Sequence, residues 1–193
     1  MQRRAVFGLF LLPLARGQGT CAPTPALTQG PYYLRDVPQR EALREGLLGV
    51  PLRLLLRVRD RACRPLQGAR VDLWHTDALG RYSGVNAPGT FCRGWQATDE
   101  RGEVAFLTLF PGWYPSRTPH LHLRVEAGGR VFATQLFFPE EVQRQVYALP
   151  PYRERGMPRV NNRQDGLFRA DLLLRLEREG EAYRGAFVLT LPG

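Results

Sequence analysis

Short segments in which apolar and polar residues alternate recur along most of the chain, with Gly, Pro and Asp between them. A period of two is that of a strand with one face in a core and one in water. The segments 52–60 (LRLLLRVRD), 69–76 (ARVDLWHT), 93–99 (RGWQATD), 103–110 (EVAFLTLF), 120–127 (HLHLRVEA) and 130–138 (RVFATQLFF) read as strands. Two more, 171–178 (DLLLRLER) and 182–191 (AYRGAFVLTL), follow near the end. The stretches 99–103 (DERGE) and 126–130 (EAGGR) read as hairpin turns. One segment, 140–147 (EEVQRQVY), has helical spacing, and 148–168 reads as a long surface loop. Many short strands joined by tight turns predict an all-β antiparallel sandwich of immunoglobulin-like or transthyretin-like layering.

The chain has 193 residues, which suits one domain with a real core. All 27 basic residues are arginine, giving a formal net charge of +9. They are scattered, without a basic block or a nucleic-acid motif, so the charge is read as compositional bias and no nucleic-acid partner is expected.

The first 20 residues differ from the rest. Arg3 and Arg4 precede an apolar run from Ala5 to Ala15, and Ala15-Arg16-Gly17 offers a small-x-small cleavage site. The run is too short to span a bilayer and reads as a signal peptide over 1–20, with 21–193 as the mature domain. The arginine pair fits a twin-arginine export route to the periplasm or the exterior. Lipid anchoring at Cys21 is the weaker reading, since Gly-Thr-Cys is a poor lipobox. Export permits one disulfide among Cys21, Cys63 and Cys92, with one cysteine left over; spacing does not say which.

Two of only three histidines stand one residue apart in FPGWYPSRTPHLHLRV (110–125). On a strand, His120 and His122 point the same way and form half a metal site. By itself the pair fits ordinary half-buried histidines equally well. Glu126 shares their parity, and His-x-His-x3-Glu resembles the first cupin motif, which would make an Fe(II) or Zn centre. The flanking glycines of that motif are missing, no histidine follows His122, and Glu126 sits at the predicted turn. Tyr114 and Tyr82 are the other candidates. A phenol has a pKa near 10, so tyrosine as a ligand calls for a hard, highly charged ion, of which Fe(III) is the obvious one.

Gly-Arg-Tyr at 80–82, Pro-Gly-Trp-Tyr-Pro at 111–115, Arg-x-x-His-x-His at 117–122 and Thr-Gln at 134–135 occur in this order. Together with TPALTQGPYYL (24–34), they resemble the intradiol ring-cleavage dioxygenases that act on catechol, hydroxyquinol and protocatechuate. The resemblance runs from about residue 21 to about 190. It implies one non-haem Fe(III) per chain, held by Tyr82, Tyr114, His120 and His122 within a β-sandwich. It implies cleavage of a catechol-type ring between its two hydroxylated carbons with O2, giving a cis,cis-muconate-type dicarboxylate. The ligand charges agree: two phenolates and one hydroxide neutralise Fe(III), so little charge is buried unpaired.

By the same resemblance Tyr114 is the ligand that leaves and acts as base. Arg117 stabilises negative charge on the ring, Gln135 orients the substrate, and Tyr32 lies at the substrate mouth. His75, Tyr33 and Trp113 match no such position and are expected to pack. Ser116 stands where some relatives carry a bulky aromatic residue, which suggests a more open site. Residues before Cys21 do not read as the long helical segment with which catechol and hydroxyquinol enzymes dimerise, so a homo-oligomer stays open. Against the enzyme stands a non-catalytic β-sandwich that only binds aromatics.

Overall fold

The structure is a computed structural model that describes residues 20–193. The expected signal peptide and its arginine pair lie outside the described residues. The fold is a sandwich of two four-stranded sheets. One has the order β4-β1-β8-β7 and the other β3-β2-β5-β6. The strands are β1 (Pro51–Arg59), β2 (Arg70–Trp74), β3 (Arg93–Ala97), β4 (Glu103–Leu109), β5 (His120–Ala127), β6 (Arg130–Phe137), β7 (Arg175–Glu179) and β8 (Ala182–Thr190).

Alternation does what it predicts. In β1, Leu52, Leu54, Leu56 and Val58 are buried, while Arg53, Leu55 and Arg57 face out. From the other sheet Val71, Leu73, Leu121, Leu123 and Val125 complete the core, each at most 1% exposed. Such burial is the main favourable term in folding. The hairpin at 126–130 joins β5 to β6, with positive φ at Gly128 and Gly129.

Three expectations need correction. The 99–103 turn is tight, yet it does not make a hairpin: β3 pairs with β2 and β4 with β1, so the chain crosses from one sheet to the other there. A local turn signal cannot tell a hairpin from such a corner. The segment before β7 forms a 3-10 turn at Ala170–Leu172, and β7 starts only at Arg175. The 148–168 region is no simple surface loop. It contains 3-10 turns at Tyr152–Glu154 and Asn162–Gln164, and Tyr152, Asn162 and Asp165 are buried. The helix α1 (Glu140–Tyr147) forms as expected, with Glu140 and Glu141 in the first turn where the helix dipole favours acids.

The cysteine pairing is settled by the fold. Cys21 and Cys63 form a disulfide, and Cys92 is a buried free thiol.

Candidate metal centre

Leu121 and Leu123 take the inner face of β5, so His120 and His122 stand on its outer face. Trp74 on β2 and Gln135 on β6 lie opposite His122, and Phe137 lies opposite His120. An outer face would normally be wet. Here loops roof it, and each imidazole-bearing residue is only 3% exposed.

Two of those loops carry the tyrosines. After β2, Asp77 Oδ1 accepts the N–H groups of Leu79 and Arg81 at 2.9 and 2.8 Å, an Asx-type turn that presents Tyr82. The 110–117 turn packs directly on this one. Gly112 N–H donates to Asp77 O at 2.8 Å, and Thr76 Oγ1 donates to Gly112 O at 2.6 Å. A Cβ on Gly112 would lie 2.4 Å from the Ala78 carbonyl oxygen, so the two backbones approach this closely only because residue 112 is glycine. The Tyr147 and Tyr152 hydroxyls donate to Pro111 O and Phe110 O at 2.8 and 2.6 Å and hold the turn from behind.

Four side-chain atoms converge. Tyr82 Oη lies 3.1 Å from His122 Nε2, Tyr114 Oη lies 3.3 Å from His120 Nε2, and the two Nε2 atoms are 3.0 Å apart. His120 Nδ1 donates to Thr118 O at 2.7 Å, which leaves the lone pair on Nε2 facing the cluster. If both phenols donate, the two Nε2 lone pairs face each other, an unfavourable contact that a cation among the four atoms relieves. Ligands held about 2.1 Å from a common centre at right angles are about 3.0 Å apart, which matches the shorter edges.

Burial holds His120 down at about 4, with the Arg117 charge acting in the same direction. Burial, then His120, hold His122 well below 6.5. Both imidazoles are therefore neutral at pH 7, the form that binds metal. Burial pushes the Tyr82 phenol well above 10, and burial also raises Tyr114, against the pull of Arg117. These phenols give up their protons only to a strong cation. The donor set thus fits a hard, highly charged metal ion such as Fe(III).

Arg117 donates from Nη2 to Gln135 Oε1 at 2.7 Å, and Gln135 Nε2 donates to Thr28 O at 2.9 Å. The Tyr32 ring packs on Tyr82 with centroids 4.8 Å apart. All seven residues singled out from the sequence, Tyr32, Tyr82, Tyr114, Arg117, His120, His122 and Gln135, are thus gathered in one place. Glu126 is not. It ion-pairs with Arg124 at 2.9 Å, four residues further along β5, about 13 Å from His122. Among the described residues no group of three or more His, Cys, Asp or Glu is placed to hold a metal.

The residues expected to pack do so. His75 Nδ1 donates to Thr76 O and its Nε2 accepts from Thr108 Oγ1, both at 2.7 Å. Trp113 Nε1 donates to Gly156 O at 2.9 Å, with Arg155 over the ring. Tyr33 packs on Trp74 beneath Arg124. Ser116 is exposed.

Three further residues shape the centre and carry no sequence signal of their own. Trp74 stacks flat on His122, with centroids 4.9 Å apart and planes 5° apart. Arg93 is buried, donates to Ser83 O at 2.9 Å and to Tyr32 O at 2.6 Å, and holds its guanidinium 5.7 Å from the Tyr82 ring centroid. Asp165, in a Gln-Asp-Gly stretch that reads as a turn, accepts Arg117 Nε–H at 2.8 and 3.0 Å on its two oxygens.

A family model described as dioxygenase matches residues 28–146. The fold aligns with that of an intradiol ring-cleavage dioxygenase from Tetranychus urticae at a TM-score of 0.83 and 32% identity, covering 88% of this chain and 94% of that one. This chain belongs to the intradiol ring-cleavage dioxygenase family. The dioxygenase domain of a dioxygenase–carbohydrate-binding fusion from Streptomyces sp. SirexAA-E is 37% identical, with a TM-score of 0.73 over 88% of this chain and 98% of that one. The chlorocatechol 1,2-dioxygenase of Pseudomonas putida is 29% identical over 151 residues, covering 64% of this chain. That of Pseudomonas sp. strain P51 is 31% identical over 147 residues. The matches span only 56% and 58% of those two proteins. The family match takes in all seven gathered residues, while Asp165 lies beyond it.

Proposed function

We propose that the chain is a non-haem Fe(III) intradiol dioxygenase, with Tyr82, Tyr114, His120 and His122 holding the iron. It opens a catechol-type ring between the two hydroxylated carbons with O2, giving a cis,cis-muconate-type dicarboxylate. The observation that carries this reading is the convergence of two phenol oxygens and two imidazole nitrogens at 3.0 to 3.3 Å.

The ferric ion supplies Lewis acidity toward a bound catecholate. The chain's residues supply the rest. His120, fixed by Thr118 O, keeps its Nε2 lone pair aimed at the iron position. Tyr82 is 2% exposed, packed under Tyr32 and beside Arg93, and stays in place. Tyr114 is only partly buried and sits on the turn, so of the two phenol oxygens its Oη would be the better placed to take a catechol proton. Arg117 and Gln135, joined at 2.7 Å, orient the ring, and the Arg117 charge stabilises electron density that builds on it. Ser116 is small and exposed on the turn, in keeping with the more open site that the sequence suggests. We place the enzyme outside the cytoplasm: the Cys21–Cys63 disulfide suits an oxidising compartment, as does the N-terminal sequence pattern.

Purified, iron-loaded protein is expected to be burgundy, from charge transfer between tyrosinate and iron, and to consume O2 with catechol, 4-methylcatechol, protocatechuate or hydroxyquinol. Tyr82→Phe and Tyr114→Phe should each shift or bleach the visible band. Colourless protein with a full complement of iron sinks the assignment. No iron together with no O2 uptake points instead to a sandwich that only binds aromatics.

A further inference from the structure

Arg117 has more than one preferred conformation open to it on a surface turn, yet the structure pins it. Its Nε–H is shared by both oxygens of Asp165, at 2.8 and 3.0 Å, and its Nη2 donates to Gln135 Oε1 at 2.7 Å. Among the described residues Nη1 has no hydrogen-bond partner. A guanidinium is planar, so fixing Nε and Nη2 fixes the plane and the direction in which Nη1 presents its two protons.

Asp165 is itself fixed. Its side chain is 1% exposed, and it also accepts the backbone N–H of Thr118 at 3.0 Å and of Leu167 at 2.9 Å. The strand-leading turn and the Asp165 segment are joined a second time, where Thr118 Oγ1 donates to Asn162 Oδ1 at 2.7 Å. Asn162 is anchored in turn through Nδ2 to Phe138 O at 3.0 Å and through Oδ1 to Gln143 Nε2 at 3.1 Å. The carboxylate therefore stands on a rigid support and not on a mobile loop. Its hydrogen bonds reach the centre through Arg117 and the Thr118 backbone, and its charge also acts on Tyr114 and His120.

We propose that Asp165 is a positioning residue for the ring-cleavage step: it sets the plane of Arg117 and balances its charge, so that Arg117 offers a directed hydrogen bond in place of a loose cation. This inference rests on the dioxygenase reading of the site. Arg117 without Asp165 would keep its charge near the ring but lose its aim, and misplaced groups cost rate more than binding.

The test is a double-mutant cycle on the iron-loaded protein, with Asp165→Asn, Arg117→Ala and the pair combined. Asparagine keeps the shape and one accepting oxygen while removing the charge. The expected result for Asp165→Asn is a kcat lower by about tenfold, with anaerobic catechol affinity, followed through the visible band, within about twofold of native. Iron content and the resting band should not change. In the Arg117→Ala background the same substitution should alter kcat by less than about twofold, since the group it acts through is gone. A native-like kcat in Asp165→Asn overturns the inference. So does a loss that persists undiminished without Arg117, or one that tracks lost iron, since each marks a merely structural role. Native protein with neither band nor O2 uptake overturns the dioxygenase reading itself, a result distinct from all of these.

Discussion

At the scale of single residues, the centre is built from groups that burial holds in one protonation state. His75 illustrates the cost without being a ligand. Burial depresses it from 6.5 to about 4, even though both ring nitrogens are hydrogen-bonded. Between those values the unfolded chain binds a proton that the folded chain refuses, so stability falls as pH drops from about 6.5 toward 4. One such histidine contributes a loss of about 2 kcal/mol by pH 5. Urea unfolding at pH 7 and pH 5 should show it, and His75→Gln should remove that share of the difference, the remainder coming from His120 and His122. At the same scale, Glu126→Gln should keep iron content and the visible band, since Glu126 pairs with Arg124 and is remote from the histidines. Loss of metal in that variant would revive the cupin-type site. The parity of His120 and His122 was readable from spacing, because strand geometry is local. Arg117 was one arginine among 27 and only its motif singled it out, while Asp165 was unreadable because its partner lies 48 positions away.

At the scale of elements, the site depends on two loops that meet backbone to backbone. The 110–117 turn is braced by Asp77 and Thr76 on one side and by Tyr147 and Tyr152 on the other. Gly112 is the contact point. Gly112→Ala would drive a methyl group into the Ala78 carbonyl, so the turn must shift, at a cost of about 1–3 kcal/mol. Because Tyr114 rides on that turn, the variant should bind iron less tightly, measured by chelator competition, as well as melt earlier. Native-like melting and iron affinity would show that the turn adapts freely. Strand positions were legible from alternation, and α1 from its spacing. The 148–168 region was misread because its polar and Pro/Gly-rich composition resembles a loop, whereas Tyr152 and Asp165 are held by partners from distant segments.

At the scale of the molecule, a disulfide ties the start of the described chain to the loop after β1. Cys21 and Cys63 are 42 positions apart, and Cys21 N–H also donates to Arg61 O at 2.9 Å. Closing a loop of that length in the unfolded state is worth about 4 kcal/mol. Replacing both cysteines by serine should lower stability by about that amount in urea, with the visible band of the folded protein unchanged because the proposed iron ligands are at the other end of β5. A variant as stable as native would mean that the bridge adds nothing beyond the β1 and β8 contacts. Sequence alone determined the alternation that makes a sandwich, the shared face of the two histidines and the order of the motifs, since these depend on neighbours along the chain. Only the tertiary structure decided which sheet each strand joins, which cysteines pair and which carboxylate holds Arg117. It also decided that an outward strand face becomes a buried cluster of two phenols and two imidazoles, because each of these depends on contacts between segments far apart in the chain.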